Sequence, residues 1–179
     1  MHFDLKILQT IQAIALDVDG VLTDGTLTWS QSGEESKTFS FTDIMGLSLA
    51  RRLGLTMALI SGENSPLVDR YAKKLHIPFV VKGTRDKATA LGDFAAQFKI
   101  PFHNIAFFGD DLNDLPAMQI AGLPCCPSNA ASDVIAYVQK RGFVAGRPGG
   151  SGAVRDLVDL ILKERDLDGL EVFHRKPPE

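Results

Sequence analysis

The sequence predicts an α/β protein in which helices flank a parallel, Rossmann-like β-sheet. Short apolar runs alternate along the chain with segments of helical periodicity, as they do in parallel sheets. The first apolar run, residues 11–18, passes into Asp17-Val18-Asp19-Gly20, and polar residues also follow later runs of the same kind. Because the carboxyl ends of parallel strands share one edge of a sheet, these polar residues are expected to meet there.

The predicted strands are short runs of apolar residues, bounded by turn-forming residues. In chain order they span residues 11–18, 55–60, 78–81, 105–108 and 123–126. A protruding β-hairpin, about residues 26–41, is predicted after the first strand. Its two arms alternate small, polar and aromatic side chains around the turn signal Gln31-Ser32-Gly33-Glu34.

The predicted helices carry apolar residues at helical spacing. The clearest start is Ser65-Pro66, which places an N-cap residue directly before a proline at the first helical position. In chain order the helices span residues 43–53, 66–75, 86–98, 115–121, 130–138 and 152–164. We expect one domain over residues 1–165 and a polar tail, residues 166–179, that is mobile or borrowed by a neighbouring subunit.

Composition argues against several classes of function. The chain has 179 residues, 45% of them hydrophobic, which is enough for one sizeable core. Its net charge of −3 gives no electrostatic support for binding nucleic acid or an anionic membrane. No apolar run approaches the roughly 20 residues of a membrane span, and the start lacks the layout of a signal peptide. The adjacent Cys125 and Cys126 are expected to be buried free thiols in a reducing cytoplasm.

Five aspartates lie where predicted strands end. Two follow the first strand and three follow the fourth: Asp17, Asp19, Asp110, Asp111 and Asp114. Residues i and i+2 of a strand share a face, so Asp17 and Asp19 are crowded together and need a cation or a proton between them. Carboxylates with only oxygen ligands suit Mg²⁺. Asp111 is also placed to cap the helix that follows.

Two further polar segments complete a site for a phosphoryl group. Ser61-Gly62 follows the second strand, and Lys87 opens the helix after the third. A hydroxyl and a backbone N–H can donate to phosphoryl oxygens, and an ammonium group offsets their charge. One aspartate can then attack phosphorus, while a second protonates the leaving oxygen and later deprotonates water.

The order and spacing of these residues resemble the four motifs of the haloacid dehalogenase superfamily. The motifs read Asp17-Val18-Asp19-Gly20-Val21, Ser61-Gly62, Lys87 and Gly109-Asp110-Asp111-Leu112-Asn113-Asp114. The resemblance implies that Asp17 is the nucleophile, that Asp19 is the general acid and base, and that Ser61, Gly62 and Lys87 bind phosphate. It also implies that Mg²⁺ is held by Asp17, Asp110 and the backbone carbonyl of Asp19, with Asp111 and Asp114 in support.

The spacing further resembles a capless subgroup of that superfamily. The segment between Asp19 and Ser61 holds the hairpin and one helix, which leaves no room for a cap domain. The resemblance implies a small-molecule substrate, the phosphate ester of a 2-keto-3-deoxy sugar acid. The expected substrate is 3-deoxy-D-manno-octulosonate 8-phosphate, and the alternative is a nine-carbon sugar acid 9-phosphate. The resemblance to the capless subgroup also implies a homotetramer assembled through the hairpin, which carries Trp29, Phe39 and Phe41.

The sequence departs from the eight-carbon pattern at several positions. Glu63 stands where an arginine is usual, Thr42-Asp43-Ile44 replaces Arg-Asp-Gly, and Tyr71 replaces another arginine. The pair Glu63 and Lys74 instead resembles a nine-carbon phosphatase. Asp43, Glu63 and Lys74 are therefore the candidate substrate-binding residues.

Two other classes of function use similar residues. A phospho-receiver domain also gathers aspartates, a Ser or Thr and a Lys around Mg²⁺, and it is phosphorylated without turnover. Its phosphoacceptor should follow the third strand, where this chain has Lys82-Gly83. A non-enzymatic scaffold is the other alternative, but it has no need of the complete set of carboxylates.

Overall fold

The computed structural model describes residues 3–178, so residues 1, 2 and 179 of the predicted domain and tail lie outside it. A six-stranded, fully parallel sheet forms its centre, and a separate two-stranded antiparallel hairpin projects from it. The strands of the described residues are Ala13–Leu16 (β1), Thr28–Trp29 (β2), Glu35–Ser36 (β3), Thr56–Ile60 (β4), Phe79–Val81 (β5), Ile105–Phe108 (β6), Leu123–Cys126 (β7) and Phe143–Val144 (β8). The predicted fold class is confirmed.

The order of the large sheet is β5-β4-β1-β6-β7-β8, which puts the first strand near its middle. The α-helices are Ile7–Thr10 (α1), Phe41–Arg52 (α2), Pro66–Leu75 (α3), Lys87–Phe98 (α4), Leu115–Ile120 (α5), Ser132–Val138 (α6), Ala153–Glu164 (α7) and Gly169–His174 (α8). Short 3-10 turns precede β6 and α5 at Phe102–Asn104 and Leu112–Asp114.

Helices cover both faces of the sheet. Strand β1 is therefore apolar throughout, because both of its faces are buried. Ile14 and Leu16 point into a core shared with α2, α3 and α7. Ala13 and Ala15 point into the opposite core, which is shared with α4, α5 and α6. All four residues are fully buried, so the strand lacks the polar alternation of a sheet with one wet face.

Helix α7 illustrates how the sequence sets a helix against this sheet. Its buried side chains recur at helical spacing and form one apolar stripe: Val154, Leu157, Val158, Ile161 and Leu162. That stripe packs beside α2 over the face of β1 that carries Ile14. Burying each such side chain stabilises the fold by about 1.5–3 kcal/mol before chain entropy is counted.

The C-terminal segment is more ordered than the sequence indicated. Asp168 is the N-cap of helix α8, and its carboxylate accepts hydrogen bonds from the N–H groups of Leu170 and Glu171. Val172 is fully buried, and the Arg52 guanidinium lies 5.3 Å from the centre of the Phe173 ring. The sequence did not indicate this helix, which lies over residues 169–174 and contacts α2 of the same chain. One turn of helix with one buried valine is too short a pattern to stand out in a polar segment.

Two other short elements were also missed. Strand β8 has two residues, and α1 is a single turn. The hairpin strands are equally short, so most of the predicted arms, residues 26–30 and 36–41, lack strand pairing. None of the described helices combines the length and the apolar character that crossing a bilayer requires.

Candidate active site

The carboxyl ends of the central strands bring distant segments to one point. Lys87 Nζ lies 2.9 Å from an oxygen of Asp17 and 2.7 Å from an oxygen of Asp114. One carboxylate oxygen each from Asp17, Asp110 and Asp114 lie within 4.8 Å of one another. Three predicted site segments, from the start, the middle and the latter half of the chain, therefore share one cluster.

The turn after β1 requires glycine at position 20 for two separate reasons. Asp17 N–H still donates to Phe108 O at 2.9 Å, so sheet pairing continues one residue past the strand. Gly20 then adopts a φ of +89°, a conformation that L side chains rarely reach. A Cβ on Gly20 would also lie 2.0 Å from Asp110 Oδ2. The absence of a side chain is what lets the loop after β6 approach the first motif.

Asp114 holds Lys87 and the loop after β6 in place, and its oxygens are not free to bind a cation. Its side chain is fully buried, and one oxygen accepts from Lys87. The other oxygen accepts from the N–H groups of Asp110 and Asp111 at 2.9 and 3.2 Å. The exposed Asp111 in turn caps the following 3-10 turn through the N–H of Leu112. Both oxygens of Asp114 are thus engaged in holding the loop and the lysine.

Burial and crowding shift the pKa values of the two remaining carboxyls. Desolvation raises the pKa of Asp17 to about 7, helped by Asp114 and opposed by Lys87. Desolvation likewise raises the pKa of Asp110 to about 8, with Asp17 and Asp114 adding to the effect. For Lys87, burial acts to lower the pKa, but Asp17 and Asp114 outweigh it and the pKa is raised. The cluster thus holds more negative charge than one lysine offsets.

The donor set fits a hard divalent cation. Asp110 Oδ1 is buried and has no hydrogen-bond partner among the described residues. An unpaired buried carboxylate oxygen is costly unless a proton or a cation lies against it. Asp17 and Asp110 offer oxygen ligands only, and Mg²⁺ needs no more than one or two carboxylates because it retains water. Asp17, Asp110 and the Asp19 carbonyl are the residues that would hold it.

A polar cavity of about 280 Å³ opens above this cluster. It is lined by Asp17, Asp19, Gly25, Gly62, Glu63, Lys87, Asp110, Asp111 and Asn113. Ser61 is fully buried beside Gly62, and its Oγ accepts from the N–H of Glu63 at 3.1 Å. That bond leaves the hydroxyl hydrogen available to another acceptor, such as a phosphoryl oxygen.

The three candidate substrate-binding residues fall in different places. Glu63 lines both this cavity and a larger neighbouring one of about 600 Å³, between the hairpin and the start of α3. The exposed Lys74 lines a third cavity of about 340 Å³, together with Lys37, Arg70 and other residues. Of the three, only Glu63 borders the catalytic cavity.

The structure gives Asp43 a role other than substrate binding. It is fully buried on α2, and its carboxylate accepts from the N–H groups of Gly152 and Arg155 at 2.9 and 3.1 Å. Asp43 therefore caps the N-terminus of α7 from another helix. Burial raises its pKa, and these backbone donors partly counteract that rise. The expectation that Asp43 contacts substrate is not supported by this geometry.

Sequence reasoning missed Lys37, which reaches the site from the hairpin. Its Nζ lies 2.7 and 2.9 Å from the two oxygens of Asp19, and its side chain is only 2% exposed. Lys37 is two residues from both Glu35 and Phe39, so the alternation of the second arm places it on their face. Phe39 stacks on Tyr71 with ring centroids 4.3 Å apart. The alternation of residues 35, 37 and 39 was therefore the sequence signal that could have identified Lys37 as a residue that faces the body of the protein.

Comparisons with known proteins agree with the motifs. A family model described as haloacid dehalogenase-like hydrolase matches residues 67–141. The 3-deoxy-D-manno-octulosonate 8-phosphate phosphatase of Haemophilus influenzae is 35% identical over 157 residues, which cover 87% of this chain and 85% of that protein.

Solved structures give the same result. A Moraxella catarrhalis 3-deoxy-D-manno-octulosonate 8-phosphate phosphatase, in complex with magnesium ion, phosphate ion and KDO, superposes with a TM-score of 0.85. It is 34% identical and covers 90% of this chain and 91% of its own. The Yersinia pestis phosphatase of the same name has a TM-score of 0.85 at 31% identity, covering 90% and 86%.

The raised carboxyl pKa values predict how Mg²⁺ should affect stability. In the metal-free protein Asp17 and Asp110 keep protons that the unfolded chain releases near its ordinary carboxyl pKa. Stability is then lost as the pH rises from about 4 toward about 8. Mg²⁺ relieves that loss, so the gain in Tm on adding MgCl₂ in place of EDTA should be larger near pH 8 than near pH 5.

Thermal unfolding followed by circular dichroism measures both gains. Asp110→Asn removes one ligand and should reduce the gain at the higher pH, whereas Asp93→Asn on the exposed side of α4 should not. Equal gains at the two pH values would contradict the assignment of this cluster as the cation site.

Proposed function

Because this chain belongs to the haloacid dehalogenase-like hydrolases, we propose that it is a Mg²⁺-dependent phosphatase that hydrolyses 3-deoxy-D-manno-octulosonate 8-phosphate. The observation that carries the proposal is the position of Asp17. Its carboxylate lies beside Lys87 and Asp110 at the floor of a cavity that also borders Asp19. Relatives over most of the chain act on this eight-carbon substrate according to their names. Family membership also favours turnover over a receiver domain.

The chain's own residues account for both halves of the reaction. Asp17 attacks phosphorus, the bond from phosphorus to the sugar oxygen breaks, and Asp19 gives its proton to that oxygen. Asp19 then takes a proton from water as the water oxygen attacks the phosphorus of the aspartyl-phosphate. The bond to Asp17 breaks, inorganic phosphate leaves, and the carboxylate of Asp17 is restored.

The remaining groups lower the electrostatic barrier to this attack. An anionic nucleophile must approach an anionic phosphoryl group, so fixed positive charge is needed on both sides of the reacting atoms. Lys87 supplies one charge from beneath, 2.9 Å from Asp17. Mg²⁺, when bound to Asp17, Asp110 and the Asp19 carbonyl, supplies the other. The Ser61 hydroxyl and the Gly62 N–H can donate to the phosphoryl oxygens.

Glu63 supports a second candidate substrate, a nine-carbon keto-deoxy sugar acid 9-phosphate. Glu63 stands between the catalytic cavity and the 600 Å³ cavity, where the body of a sugar acid could lie. A carboxylate there favours a hydroxyl or ammonium group of the substrate over a carboxylate. Lys74 lies beyond the catalytic cavity and would contact only the far end of a longer substrate.

We also propose that the protein is a homotetramer assembled through the hairpin, and that it works in the cytoplasm. Trp29 on β2 is 69% exposed, and Leu27 and Phe41 are exposed nearby in the chain. An apolar hairpin of this kind is stabilised when another subunit covers it. The free, buried thiols of Cys125 and Cys126 suit a reducing compartment.

Asp17→Asn tests the assignment of the nucleophile. The amide cannot attack phosphorus, so kcat for p-nitrophenyl phosphate should fall by at least about 10⁴-fold, the scale seen when a nucleophile is removed. Asp93→Asn makes the same chemical change on the surface of α4 and should retain full turnover. Unchanged turnover in Asp17→Asn would reject the mechanism.

Glu63→Arg tests which sugar acid is preferred. Arginine is usual at this position in the eight-carbon pattern, where it can pair with the carboxylate of that substrate, so the ratio of kcat/KM for the eight-carbon over the nine-carbon phosphate should rise about tenfold or more. Glu171→Arg, an equal charge change on α8, should leave the ratio unchanged. If the ratio does not move in Glu63→Arg, Glu63 is not a specificity residue.

Trp29→Glu tests the assembly. A charge on the exposed face of the hairpin should break the tetramer, and analytical ultracentrifugation should show smaller species. Leu170→Glu places the same charge on α8, where the native side chain is 67% exposed, and should leave the tetramer intact. A wild-type monomer, or an intact tetramer of Trp29→Glu, would be inconsistent with assembly through the hairpin.

A further inference from the structure

The second arm of the hairpin is attached to the body of the protein along one face. Glu35 accepts a hydrogen bond from the Ser65 hydroxyl at 2.8 Å. Lys37, two residues on, reaches Asp19, and Phe39 stacks on Tyr71 after another two. Contacts at every second residue hold this arm beside Asp19, which lines the catalytic cavity.

The carboxylate of Asp19 is held by Lys37 alone among the described residues. Both oxygens lie within 2.9 Å of Lys37 Nζ, and no other hydrogen bond or ion pair of the described residues involves them. The Asp19 side chain is 30% exposed, whereas that of Lys37 is 2% exposed. The acid that must meet the leaving oxygen is therefore the more exposed member of the pair, and the lysine is enclosed by its surroundings.

We propose that Lys37 is a positioning residue that orients the carboxylate of Asp19 toward the leaving-group oxygen. The inference rests on the proposed phosphatase function. Proton transfer requires heavy atoms about 2.6–3.2 Å apart, and an exposed aspartate free to rotate about its side-chain bonds spends little time at such a distance. Lys37 contacts both oxygens of the ionised carboxylate, and one oxygen can still accept from its ammonium group when the other carries the proton, so rotation is restricted in both forms. The flanking contacts of Glu35 and Phe39 keep the stem of Lys37 in place.

The alternative role for Lys37 is to bind the phosphoryl group directly, as Lys87 is placed to do. The two roles differ in which substrates they affect. A phosphoryl contact assists every substrate equally, because all of them carry the same group. A lysine that acts through Asp19 matters most when the leaving oxygen needs a proton. The leaving group of 4-nitrophenyl phosphate departs without one, whereas that of unsubstituted phenyl phosphate is far more basic.

The test compares kcat/KM of Lys37→Met across substituted phenyl phosphates, because this ratio reports the steps up to departure of the leaving group. We expect a loss of about 10²-fold for phenyl phosphate, the lower end of what general acid catalysis contributes. The loss for 4-nitrophenyl phosphate should be only a few fold. Lys37→Arg should recover part of the lost rate with phenyl phosphate. Lys82→Met, which removes a lysine paired with Asp69 away from the catalytic cavity, should change neither rate.

A double-mutant cycle with Asp19→Ala separates a positioning role from a structural one. If Lys37 acts through Asp19, then Lys37→Met should have little further effect on phenyl phosphate turnover once Asp19 is absent. Equal losses for all leaving groups, or full additivity with Asp19→Ala, would overturn the assignment of Lys37. Wild-type protein that turns over neither these substrates nor 3-deoxy-D-manno-octulosonate 8-phosphate would instead overturn the proposed function itself.

Discussion

The site depends on one buried ammonium group held between two carboxylates. Lys87 is 1% exposed and lies within 2.9 Å of both Asp17 and Asp114. Removing one partner from such a buried pair in other proteins costs about 3–5 kcal/mol, because the remaining charge is left without compensation. The three residues come from the ends of different elements: β1, α4 and the loop after β6. A single cation thus fixes the mutual position of the first, third and fourth motifs.

In this arrangement three carboxylates, those of Asp17, Asp110 and Asp114, surround the single ammonium group of Lys87. Lys87 is shared by Asp17 and Asp114, so within residues 3–178 no cation pairs with Asp110, and one of its oxygens is buried without a hydrogen-bond partner there. Burial is the main reason that the pKa values of Asp17 and Asp110 are raised, and repulsion from neighbouring carboxylates raises them further. A divalent cation held by Asp17, Asp110 and the Asp19 carbonyl would balance this charge and would stabilise the negative charge of a phosphoryl group. The excess of carboxylates in this cluster therefore accounts both for the need for a cation and for the place where phosphate chemistry would occur.

The parts of the molecule that follow local rules could be predicted from the sequence. Apolar strands followed by polar residues predicted the parallel sheet, and the shared edge of that sheet explains why Asp17, Lys87 and Asp110 meet. What could not be predicted depends on pairs of residues far apart in the chain. Asp43 was assigned to the substrate, yet it caps a helix more than one hundred positions later, at Gly152. The pattern of residues around Asp43 or around Gly152 gives no indication of that contact.

The hairpin connects the positioning of Asp19 with the proposed assembly of subunits. On one side of its second arm, Lys37 holds Asp19, while Trp29 on the neighbouring arm remains 69% exposed. Two strands of two residues each are marginal on their own in water, so the hairpin depends on contacts with the rest of the structure to stay in place. The inward contacts come from Ser65 and Tyr71, and the proposed tetramer would supply the outward ones. If the tetramer supplies them, assembly also fixes the lysine that orients the catalytic acid, which makes proton transfer to the leaving group sensitive to the oligomeric state.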